Sequence, residues 1–178
     1  IDRAQSVKAG TAELLYAYID VEPINFNRGF YTVDVRYFYR ITADAFVGAA
    51  RPVEVTGLAI FDKRVVLFGS EGSSKIFSTG VVGEGPEIQN LPQTNLPSAV
   101  VEAVDPIILK LMDACNCHCC DNSYLDIPPA ITAVFQEDLI VDGDIHRMFV
   151  TLGQFSIIRL ERDTQLLIPV YDYCLPEK

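Results

Sequence analysis

From Tyr31 to Arg40 apolar and polar positions alternate, with Tyr31, Val33, Val35, Tyr37 and Tyr39 set against Thr32, Asp34, Arg36, Phe38 and Arg40. A period of two over ten residues predicts a strand with one face turned inward and a charged face that meets solvent or a partner, as in an antiparallel sandwich. Thr11 to Val21, with Leu15, Tyr16, Tyr18 and Ile19, is a second strand that Glu22-Pro23 ends. Pro52 to Ile60 and Val65 to Phe68 read as two more, joined by Phe61-Asp62-Lys63-Arg64 as the turn of a hairpin.

Gly69 to Pro97 is dominated by Gly, Ser, Pro, Asn and Gln and predicts a long surface excursion or extended arm. At Ser98 the periodicity changes. Val100, Val101, Val104, Ile107, Ile108, Leu111 and Met112 recur at spacings of three and four behind an N-cap type residue, with Glu102 in the early turns and Pro106 as a kink. This predicts one helix covering a sheet. Beyond Pro128-Pro129, short strands are expected at Ile131 to Phe135, Leu139 to Val141, His146 to Leu152, Phe155 to Leu160 and Leu166 to Tyr171, separated by turn residues. The expected fold is therefore mainly β: an antiparallel β-sandwich or barrel-like domain with one central helix. It forms a single domain over 1–178, with the excursion at 69–97 and the helix plus a cysteine cluster at 98–122. The two β-rich blocks share no alignable motif, so an internal repeat is not established.

With 178 residues, the chain should bury roughly 70% of its unfolded surface, so a core needs neither metal nor disulfide to form. Fourteen Lys and Arg against 24 Asp and Glu give a net charge of −10, a field that repels phosphate backbones and anionic lipid. Nucleic acid and membrane surfaces are accordingly not expected partners. No apolar run approaches the ~18 residues of a membrane span. The opening Ile1-Asp2-Arg3 lacks an initiator Met and a signal-peptide pattern, and so suggests a start inside a longer protein.

Five cysteines cannot all pair within one chain, and four of them, Cys115, Cys117, Cys119 and Cys120, lie in six residues, with Cys174 near the end. Together with His118 they have the chemistry of a soft-metal site, but a structural zinc centre usually draws on two separated pairs of ligands. Disulfide crosslinking, within the cluster or between chains, and inert reduced thiols are the other readings. Adjacent Cys119 and Cys120 rarely bridge each other, because the small ring strains the peptide between them. His118 beside two thiols is not the spatial arrangement of a nucleophilic catalyst, and His146 at a turn-to-strand edge reads as an exposed or hydrogen-bonded imidazole.

Glu137, Asp138, Asp142 and Asp144 lack the ligand series and late Glu of a calcium loop, so a solvated turn is expected. Gly80 to Pro86 is glycine-rich without the Lys-Ser/Thr and helix of a phosphate loop. Tyr16, Tyr18, Tyr31, Tyr37, Phe38 and Tyr39 could form a carbohydrate or peptide platform, yet cross-strand packing is the simpler use, and Trp is absent from the sequence.

The run Phe30 to Ile41, followed by Arg51 to Arg64, together with the Cys115 to Cys120 cluster and the acidic, β-rich character, resembles the cysteine-rich spore-surface proteins of clostridia, from coat or exosporium layers. The resemblance implies a structural protein that assembles with itself, and with other spore-surface proteins, into a lattice or filament. It implies no catalytic residues, no cofactor and no metal. What carries over is a crosslinking role for Cys115, Cys117, Cys119, Cys120 and Cys174. The alternatives are a zinc-binding protein using the cluster, and a small hydrolase or ligand-binding module. An assembling protein can fill a sheet edge with an arm from its neighbour, so either the 69–97 excursion or the segment expected before Ile1 should contact an adjacent subunit.

Overall fold

The computed structural model describes residues 4–48, 51–72, 96–113, 127–135, 139, 148–163 and 167–169. Strands make up 66% of these and helix 4%, so the fold is mainly β, with antiparallel sheets and no closed barrel. The first layer is a meander of three long strands, β1 (Ser6–Pro23), β2 (Phe30–Phe46) and β3 (Val53–Phe68), with β2 in the middle.

The second layer comes from the end of the chain. β4 (Ser98–Ala103) pairs with β7 (Ser156–Glu161), and β5 (Ile107–Asp113) pairs with β6 (Met148–Gly153). The two pairs form one antiparallel ribbon bent in the middle: Ala103 faces Ser156 on one side of the bend, Ile107 faces Gly153 on the other, and Val104 N–H donates to the Phe155 carbonyl at 3.2 Å between them. Buried Pro106 occupies the bend, where its missing N–H costs no ladder bond.

The alternation read from the sequence becomes the core. Val33, Val35, Tyr37, Tyr39 and Ile41 on β2 are buried. They pack against Leu14, Ile19 and Val21 of β1, Val65 and Leu67 of β3, and Val101, Ile108, Val150, Leu152, Ile158 and Leu160 of the ribbon. Val33 and Val35 are at most 1% exposed, and full burial of such a side chain contributes roughly 1.5–3 kcal/mol.

Three expectations fail for physical reasons. The segment 98–112 is two strands and not a helix. Its stripe is so rich in apolar residues that it also satisfies a period of two, with Ala99, Val101 and Ala103 inward and Ser98, Val100 and Glu102 outward; its β-branched residues favour that choice, and a partner some fifty residues away supplies the hydrogen bonds. Phe61 to Arg64 is no turn but the middle of one continuous β3, because Asp62 and Arg64 lie directly opposite Arg36 and Asp34. Ile131 to Phe135 is no strand: Pro129–Thr132 forms a short helix, α1, with proline in its first turn and Ile131 buried.

Met148–Gly153 and Ser156–Glu161 agree with the expected strands at His146 to Leu152 and Phe155 to Leu160. Leu167 to Pro169, within the expected last strand, has no regular structure. The rest of that strand and most of Leu139 to Val141 lie outside the described residues, as does the greater part of the 69–97 excursion.

Candidate functional site

Among the described residues the core holds no buried charged side chain, and its polar atoms are tyrosine hydroxyls. Tyr39 Oη donates to Gln154 Oε1 at 2.6 Å, and Gln154 Nε2 donates to the Val104 carbonyl at 3.2 Å, so β2 clasps the bend of the ribbon. Burial, with a smaller contribution from Tyr37, raises the Tyr39 pKa to about 12. Tyr31 Oη donates to the Ser70 carbonyl at 3.0 Å and accepts from Arg162 at 3.0 Å, which ties the end of β3 to the end of β7. Tyr37, stacked on Tyr39 with ring centroids 6.1 Å apart, has a buried hydroxyl with no hydrogen-bond partner among the described residues. These tyrosines are packing elements, and Tyr31, Tyr37 and Tyr39 do not form a carbohydrate or peptide platform.

The outer face of the meander carries the charges. Arg36 makes a two-pronged bond to Asp62 (2.7 and 2.9 Å), Arg64 does the same with Asp34 (2.6 and 2.7 Å), and Arg40 pairs with Glu13. Each is a directly opposite cross-strand pair. The hydrogen bond from Arg64 holds the Asp34 carboxyl below its ordinary pKa, and the same bond raises that of Arg64. On the ribbon Arg159 bridges Glu161 (2.6 Å) and Glu102 (2.5 Å), and both bonds raise its pKa.

Two apolar features interrupt this polar surface. Tyr16, Phe38 and Ile60 form one row across the outer face, and Phe38 is buried. Beside it Leu15, Tyr16 and Tyr18 meet Pro128, Ala130, Ile131 and Val134 around an open cleft of about 390 Å³. On the ribbon the outward side chains Ile107, Leu109, Met112, Phe149 and Ile157 are all exposed.

The two edges of the meander differ. Beside β1 run β4 and β5, and the Asp105 carboxylate accepts the Leu14 N–H at 2.9 Å at a bulge in β1. β3 touches β7 only weakly, and among the described residues no backbone hydrogen bond reaches its outward N–H groups. Phe61 and Val53, although on the core-side face of β3, are each 57% exposed.

Cys115, Cys117, Cys119, Cys120, Cys174, His118 and His146 lie outside the described residues, as do Glu137, Asp138, Asp142, Asp144 and Gly80 to Pro86. No group of three or more metal-ligating side chains occurs among the described ones. No family model, curated protein or solved structure matches the chain. Sequence reasoning missed the long edge strand β3, unpaired on its outer side among the described residues, because it divided that strand at Phe61. The run Leu58 to Phe61 followed by Asp62-Lys63-Arg64 has no alternation that would have carried the strand through, and only the pairing with Arg36 and Asp34 does so.

Proposed function

We propose that this protein is a self-assembling structural component of a bacterial spore surface layer, coat or exosporium, with no turnover chemistry. The observation that carries the assembly reading is the 16-residue edge strand β3, whose outward amides are unbonded among the described residues and whose core-side Phe61 and Val53 are exposed. Natural proteins usually shorten, cover or charge such an edge; β3 is long, and its stretch from Val55 to Phe61 carries no charge, which leaves a template for another chain between the charges at Glu54 and Asp62 to Arg64. The exposed apolar side chains of the ribbon add a second surface suited to contact. The spore-surface part of the proposal rests on the resemblance of the Phe30 to Ile41 and Arg51 to Arg64 runs and of the cysteine cluster.

Negative-stain images of the purified protein at high concentration test this reading. Discrete sheets, rings or fibres are expected. A monodisperse monomer that persists under oxidising conditions would overturn it.

A further inference from the structure

We infer that β3 pairs antiparallel with β3 of a second copy of this chain, about a two-fold axis at Ala59 perpendicular to the sheet, joining two meanders into one six-stranded sheet. The inference rests on the assembly reading and names its contact.

The hydrogen-bond phase of the ladder decides which groups are available. Gly69 N–H donates to the Gly29 carbonyl at 2.8 Å, and this pair continues the β2–β3 register in which Phe30 faces Phe68. Hydrogen-bonded pairs recur every second residue, so the odd-numbered residues of β3 bond to β2 and the even-numbered ones point their N–H and C=O outward. Glu54, Thr56, Leu58, Ile60, Asp62 and Arg64 therefore offer the outward groups. A partner strand using all of them on both copies makes about twelve hydrogen bonds, one per N–H from six residues in each of two strands.

The side chains select the partner. A two-fold axis perpendicular to the sheet pairs only residues of the same face. With Ala59 on the axis, Glu54 stands opposite Arg64 of the second copy, and Arg64 opposite Glu54, each five residues from Ala59. Thr56 faces Asp62 and Leu58 faces Ile60. On the core-side face Gly57, which has open space where a Cβ would be, comes opposite the exposed ring of Phe61. That pair is of the non-hydrogen-bonded type, in which side chains approach most closely, and an aromatic ring covering an edge glycine is a known stabilising arrangement. Lys63 faces Val55, over which its stem can lie with the ammonium in solvent.

Neighbouring registers lose this fit. An axis at Leu58 sets Glu54 against Asp62, one at Ile60 sets Leu58 against Asp62, and axes at Asp62 or Lys63 set a charge against itself. The strand thus carries its own complement, which is why a second copy fits better than an unrelated strand.

Crosslinking and sedimentation test the contact. In the full chain with its five cysteines changed to Ser, Ala59→Cys should form a disulfide dimer under mild oxidation, because its thiol faces itself across the axis. Val53→Cys, roughly 40 Å from its own copy in this register, should not. Thr56→Pro removes an outward N–H without touching the β2–β3 ladder and should raise the dimer dissociation constant at least about tenfold. If that variant does not fold, Glu54→Arg, which sets Arg against Arg64, should weaken the dimer at low salt and recover at high salt. Should the wild-type chain assemble while Ala59→Cys stays uncrosslinked, or crosslinks no faster than Val53→Cys, this edge is not the contact and only the inference falls. Should the wild-type chain stay monomeric throughout, as it would if Lys63 protects the edge from pairing, the assembly reading falls with it.

Discussion

Tyr37 and Tyr39 lie two positions apart on one face of β2, yet their hydroxyls meet different surroundings. Tyr39 holds Gln154 at the ribbon bend, whereas the Tyr37 hydroxyl is buried without a partner among the described residues. An unsatisfied buried hydroxyl costs stability, while a satisfied one contributes a little. Tyr37→Phe should therefore leave stability unchanged or raise it by about 1 kcal/mol, and Tyr39→Phe should lower it by about 1 kcal/mol, both measured by urea unfolding. Tyr39 also sets an alkaline limit. Its folded pKa of about 12 lies above the ordinary value of 10, so between those values the unfolded chain has released a proton that the folded chain retains. Stability that is fully present below pH 10 should fall as pH rises toward 12. The decline should be shallower in Tyr39→Phe; equal slopes for the two proteins would exclude Tyr39 as its source.

At the level of elements, the ion pairs of the outer face act on register more than on overall stability, since exposed pairs contribute little but like charges directly opposite are unfavourable. Arg64→Asp should lower the denaturation midpoint, because Asp34 would then stand between the carboxylates of Asp20 and residue 64, and the exchange with Asp34→Arg, which sets an arginine between the two, should restore the loss. The depressed Asp34 pKa gives the pair an acid limit: its contribution is present above the carboxyl's unfolded pKa and is lost as pH falls through the lower folded value. The β1–β2 turn depends on shape instead. Gly29 has φ +80°, and a Cβ there would stand 2.9 Å from the Phe68 ring. Gly29→Ala should accordingly destabilise by about 1–2 kcal/mol in thermal or urea unfolding, strain and crowding acting together.

For the whole molecule, the proposed assembly implies a division of labour, with non-covalent contacts such as the β3 edge, unpaired among the described residues, setting geometry and the thiols locking it. Five thiols cannot all pair internally, and a domain of this size folds without them. Oxidised assemblies should run as dimers and higher ladders on non-reducing denaturing gels and collapse to monomer with reductant. Changing Cys115, Cys117, Cys119 and Cys120 together to Ser should abolish the ladder and reduce the heat resistance of the assembly, with Cys174 alone mattering less. Dissolution of oxidised assemblies to monomer without reductant would rule out covalent links between chains.

The β class, the central strand and its buried face were legible in the sequence because alternation is a local property: Val33, Val35, Tyr37 and Tyr39 announce their face whatever surrounds them. Charge and cysteine count were equally open to reading, since they need no coordinates. The fate of 98–113 was not legible, because a nearly continuous apolar run fits a helix and a strand alike until a partner 50 residues distant offers its hydrogen bonds. Nor was the continuity of β3, whose Asp62 and Arg64 look like turn residues until Arg36 and Asp34 stand across from them. Only the tertiary structure determined that β4 and β5 run beside β1 while, among the described residues, no strand pairs with the outer edge of β3. Which edge is covered depends on where a distant ribbon packs, and no local pattern of residues encodes that.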